Sequence, residues 1–216
     1  MLAAASLTAI GYLIGSIPVA WLSGRVLRGV DIRDVGSGNA GASNVWQSVS
    51  KTMVVPVGVV QIGQGAAAVV IARLAGQSDA VQMAAAVAAV LAHDWNPWLG
   101  FKGGRGIGQT IGVLLMLSPA ALALFVLVAL MGVVLRAIPQ FVALALVLTP
   151  AAAIVAGQTG AVVFGCLALA VLALAKRVLA NGAPEPARTR AAVWRNRLLF
   201  DRDIRDREKW VRRGLG

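Results

Sequence analysis

The sequence predicts an all-α, polytopic membrane protein with about seven transmembrane helices, one of them short. Three observations carry that prediction. Of the 216 residues, 58% are hydrophobic and only 13% are charged, where a soluble domain averages roughly 25% charged. Mean hydropathy is +0.78. Apolar runs long enough to cross a bilayer cover most of the chain, and the cations gather in alternate connections between them.

The apolar runs fall at roughly 2–24, 53–75, 80–98, 107–135, 138–156 and 160–179. The first has no basic stretch ahead of it, so it reads as a retained helix rather than a cleaved leader. The fourth contains Ser118-Pro119. Proline lacks an N–H and disfavours helix in the residue before it, so this run is either kinked or broken into 107–117 and 119–136. Charge decides between the two. With the N-terminus outside, segment 25–51 is inside with Arg25, Arg28, Arg33 and Lys51, and segment 99–106 is inside with Lys102 and Arg105. Arg136 and the basic C-terminal segment also fall inside only if 107–136 crosses twice. The expected topology is therefore seven crossings with the N-terminus outside and the C-terminus inside. An 11-residue helix rises only about 16 Å, so 107–117 must be sheltered by its neighbours.

The expected organisation is a transmembrane domain at 1–180 followed by a basic cytoplasmic tail at 181–216. The whole chain carries a formal charge of +11. The tail holds ten Arg or Lys against five Asp or Glu. In a polytopic protein this is the ordinary basic character of the inner face, so no nucleic-acid partner is expected. Val193-Trp194, Leu198-Leu199, Ile204 and Trp210-Val211 recur among its arginines. That pattern suits either an amphipathic helix on an anionic leaflet or a solvated tail. The single Cys166 lies in an apolar run and reads as a buried thiol.

Two glycine-rich segments interrupt the apolar runs, and both fall on the predicted inner face. The first is Val35-Gly36-Ser37-Gly38-Asn39-Ala40-Gly41-Ala42-Ser43-Asn44, with Arg33 just upstream. It matches GxGxxG in letters, but a dinucleotide fingerprint needs a preceding strand, and here a membrane helix precedes it. The physics of such loops still applies: glycines let backbone amides approach an anion. Gly36, Gly38, Gly41, Ser37, Asn39, Asn44 and Arg33 are the candidate phosphate ligands. The second segment is Phe101-Lys102-Gly103-Gly104-Arg105-Gly106. Lys102 offers a mobile point charge and Arg105 a bidentate fork, with Gly103, Gly104 and Gly106 between and beside them. His93 and Asp94 stand at the inner end of the third run, where an ionisable group is a functional candidate. His93 has no second ligand near it, so no metal is expected.

These segments resemble the bacterial acyl-phosphate:glycerol-3-phosphate acyltransferases, integral membrane enzymes of phospholipid synthesis. The resemblance rests on Gly15-Ser16-Ile17-Pro18, on Asp31 through Val45, on His93, on Gly100 through Ile107, and on Leu117-Ser118-Pro119. It implies transfer of a fatty acyl group from acyl phosphate to the 1-hydroxyl of glycerol 3-phosphate, giving lysophosphatidic acid and inorganic phosphate. It implies no cofactor, no metal and no covalent enzyme intermediate. It implies a multi-pass protein of the cell inner membrane whose partners are acyl phosphate, glycerol 3-phosphate and membrane lipids. Ser37 and the surrounding amides would hold the acyl phosphate. Lys102, Arg105 and the amides of Gly103 and Gly104 would stabilise phosphate charge. His93 would orient the loop or a phosphate, so Ser37, Lys102 and His93 are the expected catalytic residues.

The chain departs from the family pattern at several positions. Gln47 stands for an Arg, Gln61 and Gln64 for the charges of an Asp-x-x-Lys-Gly element, Asn96 for a Pro and Gly108-Gln109 for a small-Thr pair. The family's closing Arg-His-Arg-Glu-Asn stretch has no clear counterpart; its nearest matches are Lys176-Arg177 and the run from Trp194. Arg136, Arg195 and Arg197 are the candidate replacement cations. The alternative functions are transfer to another acceptor, or a non-catalytic protein that binds lipid phosphates or partners a lipid-synthesis enzyme.

Overall fold

In the computed structural model of the protein, which describes residues 1–181 and 189–212, every regular element among the described residues is helical. The N-terminal run forms α1 (Leu2–Ser16) and α2 (Val19–Arg28), and the first glycine-rich loop leads into the short α3 (Ala42–Ser48). Next come α4 (Val54–Leu74) and α5 (Asp79–Asp94), then a single 3-10 turn at Pro97–Leu99. The remaining run of helices is α6 (Ile107–Leu117), α7 (Pro119–Val134), α8 (Ile138–Val155) and α9 (Gly160–Leu179). The tail adds α10 (Arg190–Phe200) and α11 (Arg207–Arg212), and its residues 182–188 and 213–216 lie outside the described ones.

Among the described residues, four stretches are long and apolar enough to cross a membrane: Leu2–Arg28, Val54–Leu74, Ile138–Val155 and Gly160–Leu179. The helices α6 and α7 are apolar but shorter. The break at Ser118-Pro119 falls where the sequence puts it, with Pro119 opening α7 at the position where a missing N–H costs least. The first apolar run differs from expectation: it is two helices, because Ile17-Pro18 interrupts it.

Each proline inside a long run leaves a carbonyl without its usual partner four residues on. Side chains replace the lost donors. The Gln64 amide from α4 donates to the Ile14 carbonyl at 2.8 Å and to the Ile17 carbonyl at 3.0 Å, covering the break at Pro18. Asn96 adds a 2.6 Å bond to the Ser16 carbonyl, and the Trp98 indole donates to Ser16 Oγ at 3.0 Å. In α8, Thr149 Oγ1 donates to the Leu146 carbonyl at 2.7 Å, the group that Pro150 cannot serve.

Small residues set how closely the helices approach, as expected where lipid removes the hydrophobic drive between helices and packing decides. Gly11 and Gly15 of α1 lie against the carbonyls of Ala85 and Ala89 in the alanine-rich α5. Gly65 of α4 faces the Gln109 carbonyl of α6, and Gly112 of α6 faces the Ile62 carbonyl of α4. The main core gathers Val90, Val113, Leu114, Phe125, Leu146 and Leu169 from α5 through α9, with Cys166 buried among them. A second cluster around Ile32, Val45 and Val57 seats the first glycine-rich loop on α2, α3 and α4.

A side chain at Gly15 has no room against the Ala89 backbone, whereas one at Gly58 meets nothing within 4 Å. Gly15→Val is expected to destabilise the protein by about 1–3 kcal/mol through forced separation of α1 and α5. Gly58→Val, in the same kind of apolar helix, is expected to leave stability nearly unchanged. Thermal unfolding of both variants in one detergent checks the difference.

Candidate active site

At one end of the bundle the two glycine-rich loops, the end of α9 and the tail enclose a cavity of about 340 Å³. That is within the range of small-molecule sites, about 300–1,000 Å³. Arg33, Asp34, Ser37 and Gly38 line it from the first loop, and Lys102 and Arg105 from the second. Ala180 and Asn181 close the α9 side. Arg197, Asp201, Arg202, Asp203 and Trp210 form the tail's wall. Five lining cations face three lining carboxylates, so the cavity suits an anion.

The first loop is organised by one side chain. Asn44, fully buried in α3, donates to the carbonyls of Ile32 at 2.7 Å, Val35 at 3.1 Å and Asn39 at 3.0 Å. Its Oδ1 accepts from the Ser37 amide and from Ser48 Oγ, both at 3.1 Å. Gly36 and Gly38 have φ of +59° and +70°, where a side chain is strained. At Gly36 a Cβ would also collide with Asn44 Oδ1 and Ser48 Oγ.

This corrects the expected roles of several residues. Asn44 is the loop's internal frame, with donors and acceptor engaged, and it does not line the cavity. The amides of Ser37, Gly38 and Ala40 are also taken, the last two by the carbonyls of Val35 and Gly103. Asn39 is buried and Gly41 is the residue before α3; neither reaches the cavity lining. Ser37 itself lines the cavity, and its hydroxyl oxygen is buried with no hydrogen-bond partner among the described residues.

The second loop shows the same pattern. The Gly103 and Gly104 amides, expected to face an anion, donate to the carbonyls of Asp94 at 3.1 Å and His93 at 3.0 Å. A Cβ at Gly103 would collide with the His93 carbonyl, and one at Gly104 with His93 Nε2. These glycines let the loop lie directly on the end of α5. His93 is buried behind Gly104 and does not line the cavity, so it supports the loop from beneath. Gly106 has φ +65° and begins α6 over the Asp94 carboxylate, which is fully buried.

The cations of the lining are held in different ways. Arg33 grips Asp31 with two parallel bonds of 2.9 and 2.7 Å, and its third nitrogen reaches the Leu99 carbonyl at 2.7 Å. Trp21 and Arg25 also reach the Asp31 carboxylate, at 3.0 and 3.2 Å. The Arg33 guanidinium holds the Asp31 carboxyl well below the usual carboxylate range, and Asp31 in turn raises Arg33. Arg105 donates to the Lys176 carbonyl at 2.7 Å and pairs with Asp201 at 2.9 Å. Arg197 pairs with Asp203 through bonds of 2.5 and 3.2 Å and caps the end of α9 at the Val178 and Leu179 carbonyls. The Lys102 ammonium makes no ion pair or hydrogen bond among the described residues and is exposed at the cavity.

Asn181 is among the lining residues that sequence reasoning missed, with Asp201, Arg202 and Asp203. Its amide donates to the Gly38 carbonyl at 3.1 Å and the Gly103 carbonyl at 2.8 Å, so it clasps the two glycine-rich loops together. Its Oδ1 is buried without a partner among the described residues. The preceding Ala180 adopts φ 46°, ψ −177°, a region kept almost wholly for glycine, which costs about 1–3 kcal/mol. The signal in the sequence was only an asparagine following an apolar helix. Of the proposed replacement cations, Arg197 reaches the cavity, while Arg195 and Arg136 do not.

The Asp31 clamp yields a pH signature. A carboxyl lowered on folding contributes stability above its ordinary value of 3.8 and loses it as pH falls toward the folded value. Asp31→Asn is expected to cost about 2 kcal/mol at neutral pH. The gap from the unmodified protein should close as pH drops below 3.8, read by unfolding at a series of pH values.

The glycerol-3-phosphate acyltransferase family model matches residues 5–181, most of the chain. The chain is 38% identical over 175 residues to a glycerol-3-phosphate acyltransferase of Parasynechococcus marenigrum, covering 81% of this chain and 82% of that protein. It is 32% identical over 213 residues to glycerol-3-phosphate acyltransferase 4 of Dehalococcoides mccartyi, covering 94% of this chain and 90% of the relative. The fold matches the crystal structure of PlsY (YgiH), an integral membrane glycerol 3-phosphate acyltransferase, in its glycerol 3-phosphate form. There the TM-score is 0.75 at 31% identity, over 81% of this chain and 88% of PlsY. The lysophosphatidic acid form of PlsY matches with a TM-score of 0.72 at 29% identity. With its glycine-rich loops, its cationic cavity and these matches taken together, the chain belongs to the glycerol-3-phosphate acyltransferase family of integral membrane acyltransferases.

Proposed function

We propose that this acyltransferase moves a fatty acyl group from acyl phosphate to the 1-hydroxyl of glycerol 3-phosphate at the cationic cavity. The observation that carries the reading is the meeting of both glycine-rich loops around one positively charged cavity. Two phosphate-bearing reactants need that charge, and a cavity of this size holds polar head groups while the acyl chain stays in the bilayer. The hydroxyl oxygen attacks the acyl carbon. A new ester C–O bond forms as the bond to the phosphate oxygen breaks, and the hydroxyl proton leaves with inorganic phosphate. Lysophosphatidic acid is the lipid product.

Lys102, mobile and unpaired, follows the phosphate charge through the transition state. Arg105, fixed at both ends, and Arg33, clamped by Asp31, set the positions of the phosphates. The Ser37 hydroxyl donates to the acyl phosphate. His93, Gly103, Gly104, Gly106, Asn44, Gly36, Asn39 and Gly41 act one step back, by shaping the loops that hold those groups, while Gly38 is itself part of the lining. Gln47, Gln61 and Gln64, where the family carries charges, lie outside the cavity lining, so their neutrality leaves the cavity's cations in place.

We also propose seven crossings, with the N-terminus outside and the C-terminus inside, in the cell inner membrane. The transmembrane domain is then 1–180, and the tail at 181–216 walls the site. Parity supports this. Arg105 bonds to Lys176, and Asn181 bonds to Gly103, so the start of α6 and the end of α9 share one end of the bundle. Four traverses return a chain to its starting side, and that parity fits α6 and α7 as separate passes. Arg73, by contrast, bonds to the Met116 carbonyl at the end of α6, and so belongs to the opposite face.

The deciding experiment gives the purified protein an acyl phosphate and radiolabelled glycerol 3-phosphate. Labelled lysophosphatidic acid is expected, and Lys102→Ala or Ser37→Ala should lower its rate by about 100-fold or more. Retention of acyl phosphate without product would overturn the reaction, and full turnover in either variant would overturn the site. Asp201→Asn, which releases one end of Arg105, should lower kcat/KM by about tenfold, near 1.4 kcal/mol. A steady-state comparison of Asp201→Asn with the unmodified protein reads that loss.

A further inference from the structure

Helix α10 lies beyond residue 181, where the family match ends, and its two faces are chemically reversed for a helix on a soluble protein. The face turned to the bundle buries Val193 together with the polar Asn196 and Arg197. The outward face carries the large apolar groups: Trp194 is 54% exposed, Leu199 44% and Leu198 40%. At 3.6 residues per turn, Arg190, Trp194 and Leu198 form one outward row, and Ala191, Arg195 and Leu199 the next. Arg190 and Arg195 are exposed on this face and have no ion pair among the described residues.

The helix is anchored at the end of the bundle that carries the cavity. Arg197 bonds to the Val178 and Leu179 carbonyls, and Arg177 reaches the Leu198 carbonyl at 3.5 Å and the Pro139 carbonyl at 2.7 Å. That places α10 beside the ends of α8 and α9, where Ile138 and Leu179 are themselves exposed apolar groups. Exposed aromatic rings share this end of the bundle, with Trp98 and Phe101 in the second loop region. Rings at this level and cations interleaved with apolar side chains are the features of a helix lying in a bilayer interface.

We infer that the outward face of α10 docks on the bilayer surface and recognises anionic lipid head groups through Arg190 and Arg195. The apolar row enters the boundary between head groups and chains, while the two guanidinium groups stay at head-group level. The inference rests on the crossing pattern proposed above, which sets the end of α9 at the membrane boundary. Docking has a consequence for the cavity, because α10 runs directly into Asp201 and Asp203, whose pairs with Arg105 and Arg197 form the wall.

The test reads Trp194 alone, as the difference in emission between the full-length protein and its Trp194→Phe variant. Both are reconstituted in phosphatidylcholine vesicles with or without equimolar phosphatidylglycerol. Brominated lipids should quench the difference signal strongly in the phosphatidylglycerol vesicles and less in phosphatidylcholine alone. The double variant Arg190→Glu/Arg195→Glu should lose most of that quenching, and the milder Arg190→Gln/Arg195→Gln a part of it. Quenching by aqueous iodide but not by brominated lipid would overturn docking, because the face is then in water. Protection from both quenchers would also overturn it, by showing that a second copy or another protein covers the face. Equal lipid quenching regardless of lipid charge and of both variants would overturn anionic recognition. None of these readings depends on turnover, so failure here is distinct from failure of the acyltransferase reaction.

Discussion

The constraint on which the structure depends is that a chain in hydrocarbon must satisfy its backbone without water. Helices do this internally, yet an active site needs open loops and prolines need breaks. This protein meets the conflict with side-chain amides and a hydroxyl that stand in for backbone groups. Gln64 serves two carbonyls beside Pro18, Thr149 the one that Pro150 cannot serve, and Asn44 three carbonyls and an amide of the first loop. Asn181 then joins that loop to the second. The loops are therefore stiff before any anion arrives, and the cavity is built by their internal bonding.

That internal bonding changes what the glycines mean. A glycine-rich loop beside cations suggests backbone amides turned toward a phosphate. Here the amides of Ser37, Gly38, Ala40, Gly103 and Gly104 are turned inward, and the glycines allow contact between backbone and backbone, as at Gly103 over His93. Charge is supplied by side chains instead. Their attachments grade their freedom, from Arg33 clamped by Asp31, through Arg105 tied at two points, to Lys102 with no partner among the described residues. Fixed cations suit the binding of a ground-state anion. A mobile one suits charge that moves during the reaction.

Much of this was legible in the sequence. Hydropathy located α4, α6, α7, α8 and α9 to within a residue or two at most ends, because long apolar runs between polar loops leave little choice. The loop residues that meet at the cavity, Arg33, Ser37, Lys102 and Arg105, stood out as polar groups in an oily chain. Three things were not legible, and each depends on distance in space. The break at Pro18 is held by side chains from elsewhere in the chain, Gln64 of another helix and Asn96 among them. The direction of the loop amides depends on the carbonyls of α5. The tail's place in the cavity wall depends on Arg105 and Arg197 finding Asp201 and Asp203, which charge counting in a basic segment treats as solvated.

Three departures from the family pattern, Gln64, Gln109 and Asn96, also cohere once they are placed in space. The Gln64 amide oxygen accepts a 3.0 Å bond from Gln109 while its nitrogen serves α1. A lysine at residue 64 has three donors and no acceptor, so it could serve α1 but would leave the Gln109 amide unanswered. Glutamine at one position therefore goes with glutamine at the other. Both are neutral and buried, and the pair joins α4 and α6 where an isolated charge is expensive. Asn96, where the family has proline, donates to the Ser16 carbonyl beside the same break. A proline could not. These substitutions rebuild one buried hydrogen-bond network around Pro18, outside the cavity lining. They join α1 to α4, α4 to α6 and α1 to the turn after α5, and none of the three residues lines the cavity.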